Sequence, residues 1–577
     1  MRIVGYLCSL LVAVICTGLL IEFLAAQFIP EVYRGYLIKR ENNTVTWGFG
    51  PFEPAERTKG FNTPIPIEKP ENTLRIVTLG DSITEGWLTA KVVFQNYQQQ
   101  WTPQSISSYS RVLEYGINSI ASAESKDIEV INLGVAAYNV TDVIRMLKES
   151  LMLEPDLLVI QIGGNETWTA ERGNWSSYLD NDIPYFHTEA AYEVQSGIQS
   201  KWTTLSSSSN AFNPLALFSA KPQPILPEPA ERAAGLDSRL ENYLYNLEGL
   251  GAFLKKKNIP AIFMVAPQNN ADFLPYGSMA KVGTSPEQIE KLNAMLIAAL
   301  ADTGPTAKDR YLEILSIDDG IAEANFQLGK IYLAENNIDK ARQYLWKAND
   351  RDLVLKRPPS VFHQATRDFA AANGFPIIDV TGLFEERSES GLVGYRFLDD
   401  EVHPNRASQF LLGTEVAKLI VDQGLLPEND FSADLEKLPD FDGYNTYTGF
   451  DDKALGAIAY LKAAHNYLSF GHYRVRAQWD PRPEVFLEPI LDDLAIAIDK
   501  ADLDSARYLS FVLNMLLDRQ KTAVDMLKTL DCAASPERAA DVNIAILQNY
   551  RRAIGPGSPA LRESIVNMLN EQGCANT

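Results

Sequence analysis

The chain has 577 residues, a formal net charge of −22 at neutral pH and 46% hydrophobic residues. This length exceeds what one hydrophobic core serves, so we predict two or three folded units. The acidic balance argues against nucleic acid as a partner, because binding phosphates requires a basic surface. The sequence has no Walker loop, dinucleotide-binding fingerprint or CxxC pair, which argues against a nucleotide cofactor and against a zinc site.

The N-terminal segment is apolar enough to enter a membrane. From Ile3 to Ile21 the sequence IVGYLCSLLVAVICTGLLI carries no charge. As a helix it would extend about 28 Å, close to the roughly 30 Å of a hydrocarbon core. We predict that residues 1–28 form a single transmembrane anchor. Cleavage as a signal segment near Ala26 stays open, although Leu24 fits a cleavage site poorly.

Two features of the sequence disagree on the orientation of this anchor. Three basic residues within 34–40 follow the segment and only Arg2 precedes it, which favours a cytoplasmic body. Cys532 and Cys574 are the only cysteines beyond the apolar segment. A disulfide between them would place the body in an oxidising compartment, whereas two free thiols would not.

Residues 29–72 are polar and proline-rich, and we predict a juxtamembrane linker there or a segment that wraps around the edge of the domain. An alternation of predicted strands and helices follows. Apolar runs predict strands at 73–79, 128–134, 157–164, 261–265 and 376–380, and helical patterns lie at 108–122, 141–151 and 236–257. Such alternation is typical of a parallel sheet covered by helices on both faces. The fold class we predict is therefore α/β with three layers.

Three polar motifs directly follow the first three predicted strands. GDSITEG (80–86) follows the first strand, Gly134 ends INLG after the second, and Asn165 ends GGN after the third. Ligand sites in parallel sheets lie beyond the carboxyl ends of the strands. Asp and Ser in one loop are explained by helix capping alone, but three motifs at one sheet edge indicate a site.

Two segments interrupt the alternation of strands and helices. Residues 198–235 are rich in Ser and Pro and predict a long surface loop. Residues 284–356 predict an all-helical insertion, in which ANFQLGKIYLAENNIDKARQYLWKA (324–348) resembles a tetratricopeptide unit. The repeat's packing positions are occupied by Leu328, Gly329, Tyr332, Ala341 and Ala348. The insertion would buttress the host domain or bind a protein partner in a groove.

The sheet pattern resumes over 357–424, and residues 425–577 predict an acidic linker and a helical C-terminal domain with no visible chemistry. In FLDDEVHPNRASQF (397–410), Asp400 and His403 stand three residues apart and can face each other on one turn. Pro404 disfavours helical backbone at His403, and Asn405 can cap the helix that follows.

These residues predict nucleophilic catalysis. An aspartate that accepts from one imidazole nitrogen leaves the other free to take a proton, and a serine hydroxyl needs such a base. Ser82, Asp400 and His403 are therefore the predicted catalytic residues. Attack by serine creates an oxyanion, for which the Ser82 N–H, the Gly134 N–H and the Asn165 amide are the predicted donors.

The four blocks GDSITEG, INLG, GGN and DEVH resemble, in this order, those of the SGNH or GDSL-type hydrolases. The resemblance runs from about residue 73 to 420, so the domain comprises residues 73–283 and 357–424. It implies a flavodoxin-like fold, no metal or cofactor, and ester hydrolysis or acyl transfer through an acyl-serine. By block it assigns Ser82 as nucleophile, Gly134 and Asn165 to the oxyanion hole, Asp400 as orienting acid and His403 as base.

One residue departs from the family pattern, since Glu166 follows Asn165 where many members have Asp. We predict substrate contacts for Asp81, Glu166, Trp87 and Trp168, with core packing as the other interpretation of both tryptophans. The subgroup resembled is bacterial and membrane-anchored, with tetratricopeptide insertions. Together with the disulfide argument, its usual location favours a periplasmic or other extracytoplasmic body.

The predicted activity is hydrolysis of an ester in an O-acylated carbohydrate or a lipid-like substrate. Three alternatives stay open. An O-acyltransferase would use the same residues to modify an envelope glycan, and an inactive scaffold would use its helices to bind proteins. Metal binding is the third, by Asp399, Asp400, Glu401 and His403. The remaining histidines, expected to be solvated or in the core, are His187, His363, His465 and His472.

Overall fold

The computed structural model describes residues 32–34, 38–41, 44–47, 65–87, 92–95, 98–101, 108–122, 124–167, 229–278, 280–429, 431, 435–469, 484–530, 563, 567–568 and 571. The predicted anchor at 1–28 lies outside these residues, as do Trp168, His187, His472 and the pair Cys532 and Cys574. Within the described ranges, no helix has the length and apolar character needed to cross a membrane.

The strands are β1 (Val32–Arg34), β2 (Ile38–Glu41), β3 (Thr44–Trp47), β4 (Ile65–Pro66), β5 (Thr73–Gly80), β6 (Val92–Gln95), β7 (Gln98–Trp101), β8 (Asp127–Gly134), β9 (Leu157–Ile162), β10 (Ala261–Val265) and β11 (Ile377–Asp379). The helices are α1 (Ser82–Glu85), α2 (Tyr109–Ile120), α3 (Val140–Ser150), α4 (Pro229–Lys257), α5 (Pro286–Leu300), α6 (Ala307–Ile317), α7 (Ala322–Ala334), α8 (Ile338–Asp350), α9 (Ser360–Asn373), α10 (Val380–Glu386), α11 (Arg406–Asp422), α12 (Phe441–Thr448), α13 (Asp452–Ser469), α14 (Glu484–Ala501), α15 (Asp504–Leu516) and α16 (Gln520–Leu527).

Five parallel strands form the central sheet in the order β8–β5–β9–β10–β11. They are the five strands predicted from the apolar runs, and the prediction of a parallel sheet is confirmed. Counted along the chain, the order is 2-1-3-4-5, which is that of flavodoxin-like doubly wound sheets. In such a sheet the chain reverses its winding direction between the first and third strands, here β5 and β9.

Side chains alternate between two apolar layers along each strand. Val77 and Leu79 of β5 pack with α3, α4 and α9 on one face of the sheet. Leu74 and Ile76 of the same strand pack with α2 and α11 on the other face. The sheet is therefore covered on both faces, because consecutive residues of a strand point in opposite directions.

Two predicted loops or linkers contain regular structure. Residues 229–235, predicted as the end of a long loop, belong to α4. Within 29–72, strands β1 to β4 form an antiparallel sheet. Both segments lack the continuous apolar pattern on which the strand and helix predictions relied.

The acidic segment after residue 425 is likewise folded in part. Asp440 caps α12 by accepting from the Gly443 N–H, and Tyr444 on that helix is only 1% exposed. The guanidinium of Arg406 stacks on the ring of Phe450, 3.9 Å from its centroid. Part of the predicted acidic linker is therefore structured, since aromatic residues dispersed among the acids pack onto α2 and α11.

The remaining helices form two groups with their own cores. Helices α5 to α8 enclose one apolar cluster, and α13 to α16 enclose another. In the first, the predicted packing positions are buried, and a Cβ on Gly329 would lie 2.6 Å from Leu345 Cγ. Gly329 thus permits close packing of α7 on α8. The tetratricopeptide likeness and a partner role for this group stay predictions.

Candidate active site

Ser82 is the first residue of α1, directly beyond the end of β5. Asp81 caps this short helix, and its Oδ1 accepts from the Ile83 N–H at 2.8 Å. Gly80 and Gly134 pair across β5 and β8, and α1 lies against both. A Cβ at Gly80 would collide with the Thr84 side chain, and one at Gly134 with the backbone of α1. The two glycines therefore allow Ser82 to sit at the sheet edge.

Asp400 and His403 lie in a tight turn near the end of the loop that joins α10 to α11. The turn is closed at its base by a hydrogen bond from the Asp399 N–H to the His403 carbonyl at 2.8 Å. Asp400 Oδ1 accepts from the backbone N–H groups of Val402 and His403 at 2.9 and 2.8 Å. Asn405 caps α11, as predicted, by accepting from the Ser408 N–H. These contacts fix the direction of the Asp400 carboxylate.

The structure brings Ser82, His403 and Asp400 together in one hydrogen-bonded chain. His403 Nδ1 lies 2.6 Å from Asp400 Oδ2, and His403 Nε2 lies 2.7 Å from Ser82 Oγ. Ser82 and His403 are 321 positions apart in the sequence. Because Nδ1 donates to the carboxylate, Nε2 is the acceptor for the serine hydroxyl. All three side chains are buried.

The electrostatic environment of Asp400 and His403 favours proton transfer from Ser82 to His403. Burial opposes ionisation of Asp400, but the charge and hydrogen bond of His403, together with the charge of the nearby His465 imidazole, hold its pKa well below the usual range. Burial also opposes a charged His403, yet Asp400, Glu401 and Asp81 together raise the pKa of His403 above 6.5. The aspartate is thus a fixed negative charge and the histidine a strengthened base.

The three predicted oxyanion donors are in different states. The Ser82 N–H has no hydrogen-bond partner among the residues that the structure describes. The Gly134 N–H donates to Asn132 Oδ1 at 2.8 Å. Asn165 Nδ2 donates to Asp81 Oδ2 at 3.3 Å and to the Tyr138 carbonyl at 3.1 Å. One donor is available and two are bound to protein acceptors.

Asp81 and Glu166, predicted to contact substrate, both point into the protein. Burial raises the pKa of Asp81 to about 6, and its Oδ2 accepts from Gln161 and Asn165. Burial likewise raises the pKa of Glu166 to about 8, and its oxygens accept from the N–H groups of Val140 and Gly163. We therefore interpret Glu166 as a residue that holds its own loop against α3, which corrects the prediction of a substrate contact.

One residue of the site was missed from the sequence. His465 on α13 places Nε2 3.2 Å from Asp400 Oδ2, and its ring lies edge-on to Trp87 with centroids 6.1 Å apart. The expectation of a solvated or core position for His465 was wrong, as was the expectation that the C-terminal helices carry no site chemistry. No local motif marks His465, because its partner is 65 positions away and in another unit. His363, in contrast, is in the core against Trp346.

Asp400, His403 and His465 offer ligand atoms within 4.8 Å of one another. Two ligands of a tetrahedral zinc ion, each about 2.0–2.1 Å from the metal, lie about 3.3 Å apart. The 2.6 Å between Asp400 Oδ2 and His403 Nδ1 is instead a hydrogen-bond distance. Asp399, an alternative ligand from the sequence, turns toward Lys462. The donor set as arranged is that of a proton-transfer site.

Comparison with known proteins adds little to this geometry. No protein-family model matches the chain, and no curated protein is similar to it. A solved gut microbial diltiazem-metabolizing enzyme is 12% identical with a TM-score of 0.24, over 62% of this chain and 48% of that chain. This chain thus spans about half of that enzyme's length. An extracellular lipase from Streptomyces rimosus is 13% identical with a TM-score of 0.25, over 60% of this chain and 99% of that chain.

Proposed function

We propose that this protein is a serine-dependent ester hydrolase of the SGNH type, acting on an O-acylated carbohydrate or a lipid-like ester. The observation that carries the proposal is the hydrogen-bonded chain from Ser82 through His403 to Asp400. Its location beyond the end of β5, where the sheet reverses its winding, is where ligands bind in such folds. No metal or cofactor has a part in the proposed reaction.

In the first half-reaction Ser82 Oγ attacks the ester carbonyl carbon while its proton passes to His403 Nε2. The carbonyl π electrons move to oxygen, and Asp400 stabilises the imidazolium that forms. When the tetrahedral intermediate collapses, the bond to the alcohol oxygen breaks and His403 returns the proton to that oxygen. The product is an acyl-serine and a free alcohol.

In the second half-reaction a water molecule attacks the acyl-serine, and His403 takes one of its protons. The proton then returns to Ser82 Oγ as the acid leaves. A sugar hydroxyl in place of water would give acyl transfer by the same steps. The Ser82 N–H is positioned to donate to the developing oxyanion without giving up a protein partner.

Hydrolysis of p-nitrophenyl acetate and butyrate by the purified full chain tests the proposal. We expect Ser82→Ala to lose at least about 10⁴-fold in rate, as removal of a serine nucleophile does elsewhere. His363→Phe removes a buried imidazole from the core outside the site and should keep the rate. Equal rates for wild type and Ser82→Ala would contradict the proposal. In a second assay with a glycan acceptor present, the yields of acylated glycan and free acid distinguish an acyltransferase from a hydrolase.

We further propose that residues 1–28 anchor the protein in a membrane with its body on the extracytoplasmic side. The support is the uncharged run from Ile3 to Ile21 and the two cysteines of the soluble part. Thiol labelling of Cys532 and Cys574 with and without reductant tests the compartment. Labelling that requires reductant is expected, and free thiols in cells would contradict it.

A further inference from the structure

One face of α13 contacts the loop that holds Asp400. Lys462, His465 and Asn466 follow the spacing that places side chains on one side of a helix. Lys462 Nζ lies 3.7 Å from Asp399 Oδ1, and Asn466 Nδ2 donates to the Asp399 carbonyl at 3.4 Å. The third residue, His465, reaches Asp400 itself. The C-terminal helices are therefore attached to the site by consecutive polar contacts.

Asp400 Oδ2 consequently faces two imidazole rings. His403 Nδ1 is 2.6 Å from this oxygen and His465 Nε2 is 3.2 Å from it, with the two rings nearly perpendicular at 86°. The His465 Nε2 atom is shielded from solvent, and within the part of the chain that the structure describes it makes no hydrogen bond of good geometry. The second contact is thus mainly electrostatic, and Trp87 packs against the same ring.

We propose that His465 is a positioning residue for Asp400, through which the C-terminal helices complete the active site. The inference rests on the proposed function, because Asp400 matters to the reaction only if His403 is the base. His465 contacts Asp400 and would act on the reaction through this carboxylate. Its contact holds the carboxylate in place and partly offsets the effect of the carboxylate's negative charge on His403.

Loss of the His465 contact has a directional consequence for the base. Without it, the full charge of Asp400 acts on His403 and stabilises the imidazolium. The pH at which His403 becomes neutral then rises, so the low-pH limb of the activity profile moves to higher pH. The other titratable or charged side chains around these groups include Asp81, Tyr276, Tyr395, Asp399, Glu401, Lys462 and Asp493.

The test is the rate at which a fluorophosphonate modifies Ser82 in the full chain, measured between about pH 5 and pH 9. For His465→Phe, which keeps a ring against Trp87, we expect about a tenfold lower plateau. We also expect a low-pH limb displaced upward by about half a pH unit. His465→Gln, whose amide keeps a polar N–H dipole beside Asp400 Oδ2, should stay within about threefold of wild type. His363→Phe is the matched control and should be unchanged.

An unchanged plateau and an unchanged low-pH limb in His465→Phe would overturn this inference and leave the proposed function intact. Failure of wild-type Ser82 to react at any pH would overturn the proposed function and this inference with it. If circular dichroism finds His465→Phe unfolded, His465→Asn takes its place. Its shorter amide does not reach Asp400 Oδ2, so the same losses are expected.

Discussion

The proposed active site has a proton-transfer side, from Ser82 to Asp400, and an oxyanion side at Gly134 and Asn165, and the hydrogen bonds of the two sides differ. On the first side, each polar atom from Ser82 to Asp400 contacts the next. On the second, Gly134 and Asn165 donate to protein acceptors. A buried N–H without a partner costs about 1–3 kcal/mol, so these donors are satisfied within the protein. In the proposed reaction, the base is therefore in place before substrate arrives, whereas those two donors must exchange partners.

The largest effect is expected on the proton-transfer side. Asp400→Asn removes the charge that strengthens His403 and leaves an amide that cannot specify the Nδ1–H tautomer. We expect ester hydrolysis to fall about 10⁴-fold. Asp142→Asn, an acid-to-amide change in the capping box of α3, is the matched control and should keep its activity. A loss below tenfold in Asp400→Asn would mean that His403 does not depend on this carboxylate.

The oxyanion side is expected to respond less. Asn165→Ala should lower kcat about 10²–10³-fold if the amide leaves Asp81 and Tyr138 to bind the oxyanion. Asn139→Ala removes an asparagine that caps α3 and should lower stability by about 1 kcal/mol with little change in kcat. If kinetics of the two variants are alike, Asn165 supports the loop only and the Ser82 N–H acts with other donors.

The pH dependence of the wild-type rate tests the proton-transfer side. Only neutral His403 can accept the serine proton, and Asp400 raises the pKa of His403 above 6.5 after burial has opposed it. The kcat/KM for a neutral ester should therefore fall about tenfold per pH unit on the acid limb, with the midpoint above pH 6.5. A midpoint below that value would contradict the electrostatics of the proton-transfer side.

The smallest effect on activity is expected for the loop beneath Asn165, where the change is in stability. Burial raises the pKa of Glu166 from 4.5 to about 8, so the folded protein holds a proton that the unfolded chain releases. The contribution of Glu166 to the free energy of unfolding is present in full at low pH and decreases as pH rises from about 4.5 through about 8. Glu166→Gln abolishes that decrease. Relative to wild type it should gain at most about 1.4 kcal/mol per pH unit across this window. Thermal melts of both proteins at several pH values measure this stability difference. A difference that does not change with pH would contradict the prediction.

Features encoded in short stretches of sequence were predicted well. The five strands follow from uninterrupted apolar runs, and the glycine, proline and asparagine around Ser82 and His403 determine their loops. Features that depend on packing were not predictable in this way. The inward turn of Glu166 and the folding of α12 depend on burial against distant elements. His465 reaches the site only because α13 packs onto the loop of Asp399 and Asp400.

The central claim is that the Ser82 hydroxyl is reactive because His403 contacts it. Treatment of the full chain with a fluorophosphonate, followed by digestion and mass spectrometry, tests this claim most directly. We expect one adduct, on the peptide containing Ser82, and none in His403→Ala. No adduct at Ser82 under conditions in which a control lipase reacts would contradict the account, as would equal labelling of the His403 variant.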